Sequence, residues 1–281
     1  MNQIRKFLPS SLFYMKPDCQ NCCALCCTAL YFSKTEGFPA DKPAGLPCQN
    51  LQPDFLCLVH SELEKRNLHG CQAYDCFGAG QIVTKEIFCG RNWSTTPKIA
   101  REMFDVFLIV YRLQQILWYL TEASCLNLEE SIVWAIELLI QENKAVTQYS
   151  IQDILSWDIN GYQLRANKVL KEVSRLCFLQ FSTGKTTVAG DFVGKNFRGA
   201  NLDGTNFATK LMFASNLEGC SLRGTNFLGS DLRDVNLKNT DLRDSLFLTQ
   251  IQINAAKGNS STQLPPWLDR PKSWKMNRNK N

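Results

Sequence analysis

Three patterns of apolar and polar positions divide the chain. From Phe192 to Phe247 every fifth residue is large and apolar: Phe192, Phe197, Leu202, Phe207, Met212, Leu217, Leu222, Phe227, Leu232, Leu237, Leu242 and Phe247. A helix repeats at 3.6 residues and a strand at 2, so a period of 5 fits neither and requires a corner every five residues. Fixed-period self-similarity of this kind is a solenoid signature. Between Pro97 and Phe178 the pattern is helical. Met103, Val106, Phe107, Val110, Leu113, Leu117 and Leu120 recur at spacings of three and four, as do Ile132, Ala135, Ile136, Leu139 and Ile140. The stretches "SIQDIL", with Ser150 as cap, and "QLRANKVLKEVSRLCF" predict two more helices. The first 94 residues carry no period.

In the repeat, the residue two before each apolar centre is mostly small, as at Ala200, Thr205, Ser215, Cys220 and Thr225. The residue just before it is mostly Asn or Asp, from Asp191 and Asn196 to Asn236 and Asp241. The segments "GANLDGTNF" and "GSDLRDVNLKNTDLRDS" thus resemble the pentapeptide-repeat family, whose unit is a small residue, Asn or Asp, Leu or Phe, and two variable residues. The resemblance implies a right-handed quadrilateral β-helix with four pentads per coil. Twelve pentads make three coils, with residues twenty apart stacked. Lys195 and Lys210 stand at small positions, where an unpaired ammonium cannot enter a narrow coil. Bulges or outward side chains are expected there. Thr249-Gln250-Ile251-Gln252 predicts a capping box, with Gly258 as the helix stop. "TQLPPWLDRPKSW" is expected to fold back over the last coil, an ending also similar to tails of bacterial pentapeptide-repeat proteins.

Ten of the thirteen cysteines lie between Cys19 and Cys89. The densest run, "DCQNCCALCC", holds Cys19, Cys22, Cys23, Cys26 and Cys27. Thiols three apart can bite one ion, and four thiolates at tetrahedral geometry suit Zn²⁺ or an iron–sulfur cluster. Met1–Asp18 includes Arg5 and Lys6, but its apolar stretch is short and holds Pro9, so neither a signal peptide nor a membrane anchor is expected there. A cytoplasmic setting favours ligation over disulfides. The spacing of Cys19/Cys22/Cys26/Cys27, Pro47-Cys48, Cys57-Leu58-Val59-His60 and Cys71 resembles a bacterial cysteine-rich family described as zinc- or iron-chelating. The opening cluster departs by one residue from that family's usual spacing. The candidate ligands are Cys19, Cys22, Cys26, Cys27, Cys48, Cys57, Cys71 and Cys76. Zn²⁺ is the expected ion, with iron or an iron–sulfur cluster as the alternative. His60 sits three residues after Cys57, a possible bite. Gly78-Ala79-Gly80 reads as a tight turn that lets Cys76 point inward rather than as a phosphate loop.

The expected fold class is therefore α+β and multidomain. A cysteine-rich module spans 1–94, a helical domain 95–180, the β-helix 188–249, and a cap with a basic tail 250–281. No run is expected to reach the length of a membrane span, and Asp105 and Arg112 interrupt the most apolar stretch. Trp118, Trp134 and Trp157 are expected in the core or at a domain interface. The net charge of +5 is local. Residues 257–281 hold six basic residues and one acid, whereas residues 190–249 hold seven of each. DNA mimicry, which needs an acidic rod, is disfavoured, and nucleic acid is not an expected partner. With two histidines and no Ser/His/acid set, HExxH or Walker loop, no catalytic constellation is present. The expected function is a non-enzymatic metal-binding protein whose repeat docks a protein partner. The alternative is a redox or metal-dependent enzyme using an iron–sulfur or zinc site.

Overall fold

The computed structural model describes residues 4–181 and 192–275. Asp191, the first residues of the expected 188–249 span and the basic residues Arg278 and Lys280 lie outside the described residues. The chain divides into two units. One comprises Pro9–Ser124 and Glu129–Val169, the other Met1–Leu8, Cys125–Leu128 and Leu170–Asn281.

The first unit is built on helices. They are α1 (Leu25–Ala29), α2 (His69–Ala73), α3 (Ala79–Gln81), continued as a π-helical turn over Ile82–Ile87, α4 (Ala100–Ser124), α5 (Glu130–Val146) and α6 (Ile151–Ser156). The start of α7 (Ile159–Phe181) belongs here too. α4 is the central element and packs against α1, α3, α5 and α6. Its buried face is the predicted one: Met103, Val106, Phe107, Val110, Leu113, Leu117 and Leu120. Ser150 caps α6 by accepting from the Asp153 N–H at 3.2 Å. Asn143 is wholly buried, and its Nδ2 donates to the Leu113 carbonyl and the Tyr162 hydroxyl at 3.0 Å each, while its Oδ1 has no partner among the described residues. Among the tryptophans, Trp118 is buried and Trp157 rests on the Tyr162 ring at 5.1 Å. Trp134 departs from expectation: it is 64% exposed, on the outer face of α5. The span Pro97–Ser124 does reach a membrane-crossing length of 28 residues, but 61% of its most apolar window is buried within the protein. A core helix meets the same length criterion.

The second unit contains the repeat, and here the expected fold class is corrected. Among the described residues there is no β-strand and no sheet; the regular secondary structure is helical, and no α+β fold with a β-helix is present. The repeat is a coil of turns joined by isolated parallel bridges at a spacing of twenty, among them Asn196↔Asn216, Asn206↔Asn226 and Asn226↔Leu246. The physical reason lies in the length of a side. Each apolar centre opens a four-residue turn, such as that closed by Thr205 N–H to the Leu202 carbonyl at 3.0 Å. The third residue of the turn has positive φ, from Gly194 at 66° to Asn239 at 58°. One residue per pentad is left to bridge, and a strand needs consecutive paired residues.

The repeat's sequence rules have local causes. The Asn or Asp side chain accepts the backbone N–H two residues on, as Asn226 does from Leu228 at 2.9 Å. The same side chains hydrogen-bond between coils, with Asn216 donating to Asn196 and Asn236 to Asn216 at 3.0 Å each. The small residue reaches back to a carbonyl one coil below: Thr225 to Leu202 at 2.8 Å, Thr240 to Leu217 at 2.9 Å. All the apolar centres except Phe197 are buried, and Phe207 stacks on Phe227 at 5.7 Å. Lys195 and Lys210 are exposed, so their side chains turn outward.

α8 (Gln250–Ala255) carries the predicted capping box between Thr249 and Gln252. It ends at Ala256 rather than at Gly258. Gly258 instead accommodates Trp274, whose ring would lie 2.4 Å from an added Cβ. The ending does fold onto the coil, through bridges Asn236↔Lys257 and Asp241↔Gln263. Trp267 and Trp274 are buried, and Arg5 lies over Trp267 while donating to the Ser245 carbonyl at 2.8 Å.

Candidate metal centre

The cysteine-rich segment lies within the first unit. Cys19 opens a short 3₁₀ turn whose cap is Asp18, accepting from the Gln20 N–H. The Cys22 N–H then donates to the Cys19 carbonyl at 3.4 Å. Ala24 adopts positive φ, 58°, and starts α1, which carries Cys26 and Cys27. This reversal separates the two adjacent pairs. Cys23 turns away from the other thiols: it is buried with its sulfur 3.4 Å from the Thr84 hydroxyl and 3.6 Å from the Met103 sulfur. The Trp93 indole N–H donates to the Cys23 carbonyl at 2.7 Å. Cys23 is therefore an anchor onto α4, and the thiol that faces Cys19 and Cys76 is Cys22.

Gly78, at φ 82°, makes the tight turn after Cys76, and the Ala79 N–H closes it on the Cys76 carbonyl at 2.9 Å. Gly80 has a steric duty, because a Cβ there would meet the Cys22 sulfur at 2.6 Å. Gln81 fastens the turn to the start of the cluster by donating to the Lys16 carbonyl and accepting from the Asp18 N–H.

Three further cysteines approach Cys27. The Cys48 N–H donates to the Cys27 carbonyl at 3.0 Å, and Leu51, bonded to the Cys48 carbonyl, forms a bridge with Cys57. Cys57 and Cys71 both pack against the small cluster of Phe38, Val59 and Leu68. Lys42 lies beside this group. Its ammonium donates to the carbonyls of Thr28, Pro43 and Leu46 at 3.1, 3.0 and 2.7 Å and sits 4.8 Å over the Phe32 ring.

The electrostatics record the same neighbourhood. Cys26 and Cys27 have sulfurs 3.8 Å apart. The hydrogen bond from Cys26 holds the Cys27 thiol below its ordinary value, and the Lys42 charge adds to this. Cys26 is pushed up by the same bond and by burial. Burial raises Cys71 to about 12, with Cys27, Cys48, Cys57 and Glu36 contributing. Burial also raises Cys22 to about 12, with Cys23, Cys76 and Cys19 nearby, and Cys76 to about 11, beside Asp75 and Cys19. Cys19 is exposed, yet partial desolvation and the charges of Cys27, Asp18, Cys57 and Asp75 raise it.

The eight cysteines expected as ligands thus share one region, drawn from chain segments far apart in sequence. They are neighbours without a preformed cage: among the described residues no three His, Cys, Asp or Glu side chains stand arranged to hold an ion. Their chemistry still fits a soft divalent metal or an iron–sulfur cluster, since all are thiols and a cation lies beside them. His60 and His69 are exposed, and Cys89 is exposed and bonded to the Glu86 carbonyl. Sequence spacing did not single out Lys42, Asp75 or Tyr111. Asp75 is buried, and Tyr111 is raised to about 12 by burial and by Asp75 and Cys76. No short-range motif marks any of the three.

Comparison with known proteins follows the repeat and extends beyond it. Residues 212–247 match the family described as pentapeptide repeats, in 8 copies. The likeness of the cysteine-rich region to a chelating family rests on its sequence spacing alone. No solved structure matches the chain. A protein of Bacillus subtilis (strain 168), described as uncharacterized protein YybG, is 38% identical over 265 residues, covering 93% of this chain and 95% of that protein. Identity at that level across both lengths takes in the cysteine-rich, helical and repeat regions together, and the chain belongs to the family of YybG as a pentapeptide-repeat protein.

Proposed function

We propose that this chain is a non-enzymatic, cytoplasmic metal-binding protein that takes Zn²⁺ through its clustered thiols and docks a protein partner on its repeat. The convergence of Cys19, Cys22, Cys26, Cys27, Cys48, Cys57, Cys71 and Cys76 in one region carries the reading. A second feature supports it: between residues 30 and 73 the only buried apolar side chains are Phe38, Val59 and Leu68. So thin a core needs a staple, and a bound ion supplies one by cross-linking loops. Cys27, with its lowered thiol, is the group readiest to ligate at neutral pH. On the repeat, Leu211 (63% exposed) and Phe213 (41% exposed) offer apolar contact on a surface of balanced charge.

Elemental analysis of the chain expressed in a cytosol and purified without oxygen tests the metal reading. At least one Zn per chain is expected. A brown protein containing iron and sulfide would shift the assignment to the iron–sulfur alternative. Disulfides throughout the cluster in freshly isolated protein would refute both.

A further inference from the structure

We infer that one face of the repeat, built from Val193, Leu211 and Phe213 and bounded by Lys195 and Lys210, docks an apolar, acidic segment of another protein. The inference rests on the docking half of the proposed function and names the face and the partner's chemistry. In each pentad the residues just before and just after the buried centre lie on the outside of the coil, and most of them are polar. Among the described residues the large apolar ones fall on two faces. Leu228, Leu246 and Leu248 share one, Val193, Leu211 and Phe213 the other.

The first of these faces shows what the pattern means. Its Asn226 donates to the Ser174 hydroxyl of α7 at 2.8 Å, and Leu246 and Leu248 are buried. Outward apolar residues there belong to a packed surface. On the second face the same positions stay in solvent: Leu211 and Phe213 are exposed, and Val193 is 45% exposed. They form one patch, because the Gly194 N–H donates to the Phe213 carbonyl at 2.8 Å and the Ala214 N–H to the Arg233 carbonyl at 3.0 Å, which stacks Val193, Phe213 and Arg233 in successive coils. A contiguous apolar patch with a polar rim marks an interaction surface.

The rim decides the partner. Lys210 directly precedes Leu211 and Lys195 follows Val193 by two, so the lysines stand at the corners on opposite sides of the face, and both are exposed. The acids above the patch are already engaged, Asp231 with Arg233 and Asp234 with Lys257. Among the described residues neither Lys195 nor Lys210 has an ion pair. The balanced charge of the repeat as a whole thus hides a local positive excess at this face. An apolar segment with carboxylates along its margins is complementary to it. A second copy is not, since a two-fold contact would bring the same uncompensated lysines from both sides.

Binding of a fluorescent amphipathic helical peptide of leucine and glutamate to the full chain tests the face, with its leucine–lysine counterpart as control. The acidic peptide should bind and the basic one should not. Leu211→Ser and Phe213→Ser should each weaken the acidic peptide by about tenfold. The charge-reversing pair Lys195→Glu/Lys210→Glu should lose it and gain the basic peptide, with unchanged melting curves showing that the coil is intact. Equal binding of both peptides, or of neither, would overturn the acidic, apolar partner. Acidic binding that survives all these substitutions would overturn the face. Concentration-dependent dimers abolished by Phe213→Ser would give the face to a second copy instead. The docking reading itself has a separate readout, photo-crosslinking side chains placed at Phe213, Lys238 and Arg243, on three different faces, in the producing cell. Crosslinks from Lys238 or Arg243 alone would keep docking and move it off this face, and none from any of the three would refute docking.

Discussion

The repeat and the cysteine-rich segment solve the same problem, ordering a chain with little regular secondary structure, by opposite means. In the repeat most pentads bring their own core residue, turn and hydrogen-bonded polar groups, although the buried Thr205 and Ser215 hydroxyls have no partner among the described residues. Leu202 fills the axis, its carbonyl accepts from Thr225, and Asn201 accepts the Asp203 N–H. Order is local, then multiplied. In the segment from Leu30 to Ala73 three buried apolar residues serve the whole stretch, and the groups that converge are thiols. Order there depends on contacts between remote segments. A structure of the first kind tolerates a local defect poorly in its axis but needs no ligand, whereas one of the second kind is only as stable as whatever joins its thiols.

If the chain binds metal as proposed, the sharpest way to break this comparison is chelation. A structural zinc ion contributes on the order of 10 kcal/mol of binding free energy, and chelation should cost the cysteine-rich segment that amount if it holds one. Hydrogen exchange should then show lost protection at Cys48, Cys57 and Cys71, with the Phe207 and Phe227 amides unchanged. Loss of protection in both regions alike would erase the distinction.

The converse test is Phe227→Asp, which puts a charge on a fully buried axial position. A loss of roughly 5 kcal/mol or more is expected, enough to abolish the cooperative melt of the repeat with metal content preserved. An unchanged melting curve by circular dichroism would mean that the axis does not hold the coil.

Alkali should separate the regions more gently. In the metal-free chain, Cys22, Cys71 and Cys76 have folded-state values raised from 9.0 to about 12, 12 and 11. Their neutral forms are favoured by folding, so their contribution is complete below about pH 9 and is lost as pH rises toward 12. The denaturation midpoint of the metal-free chain should fall across that window. Metal-loaded protein, whose thiols have already given up their protons, should fall less. A parallel fall in both would show that these thiols do not ligate.

The smallest expected effect is Thr249→Ala. It removes the N-cap of α8 and one half of its capping box, at a cost of about 1 kcal/mol. The melt of the repeat should shift by a few degrees, with metal content untouched. A larger effect would show that the coil depends on its end more than on its axis.

The sequence by itself determined what depends on residues near one another along the chain. The period of five placed the corners and the apolar centres, because each pentad supplies its own turn and Asx contact, whereas the twenty-residue stacking was implied by the resemblance to the pentapeptide-repeat family. The spacing of three and four located α4 and α5, and the Ser150 and Thr249 caps were legible because an N-cap bonds a residue three positions away. The crowding of ten cysteines between Cys19 and Cys89 was legible too. Only the tertiary structure decided that the sides of the coil carry single bridges instead of strands, since that depends on how many residues each turn consumes. It alone turned Cys23 toward Met103 and Cys22 toward Gly80, left Trp134 outside, and set Lys42 over Phe32 beside Cys27 and Cys48. Those outcomes rest on which distant segments pack together, and local spacing carries no record of that choice.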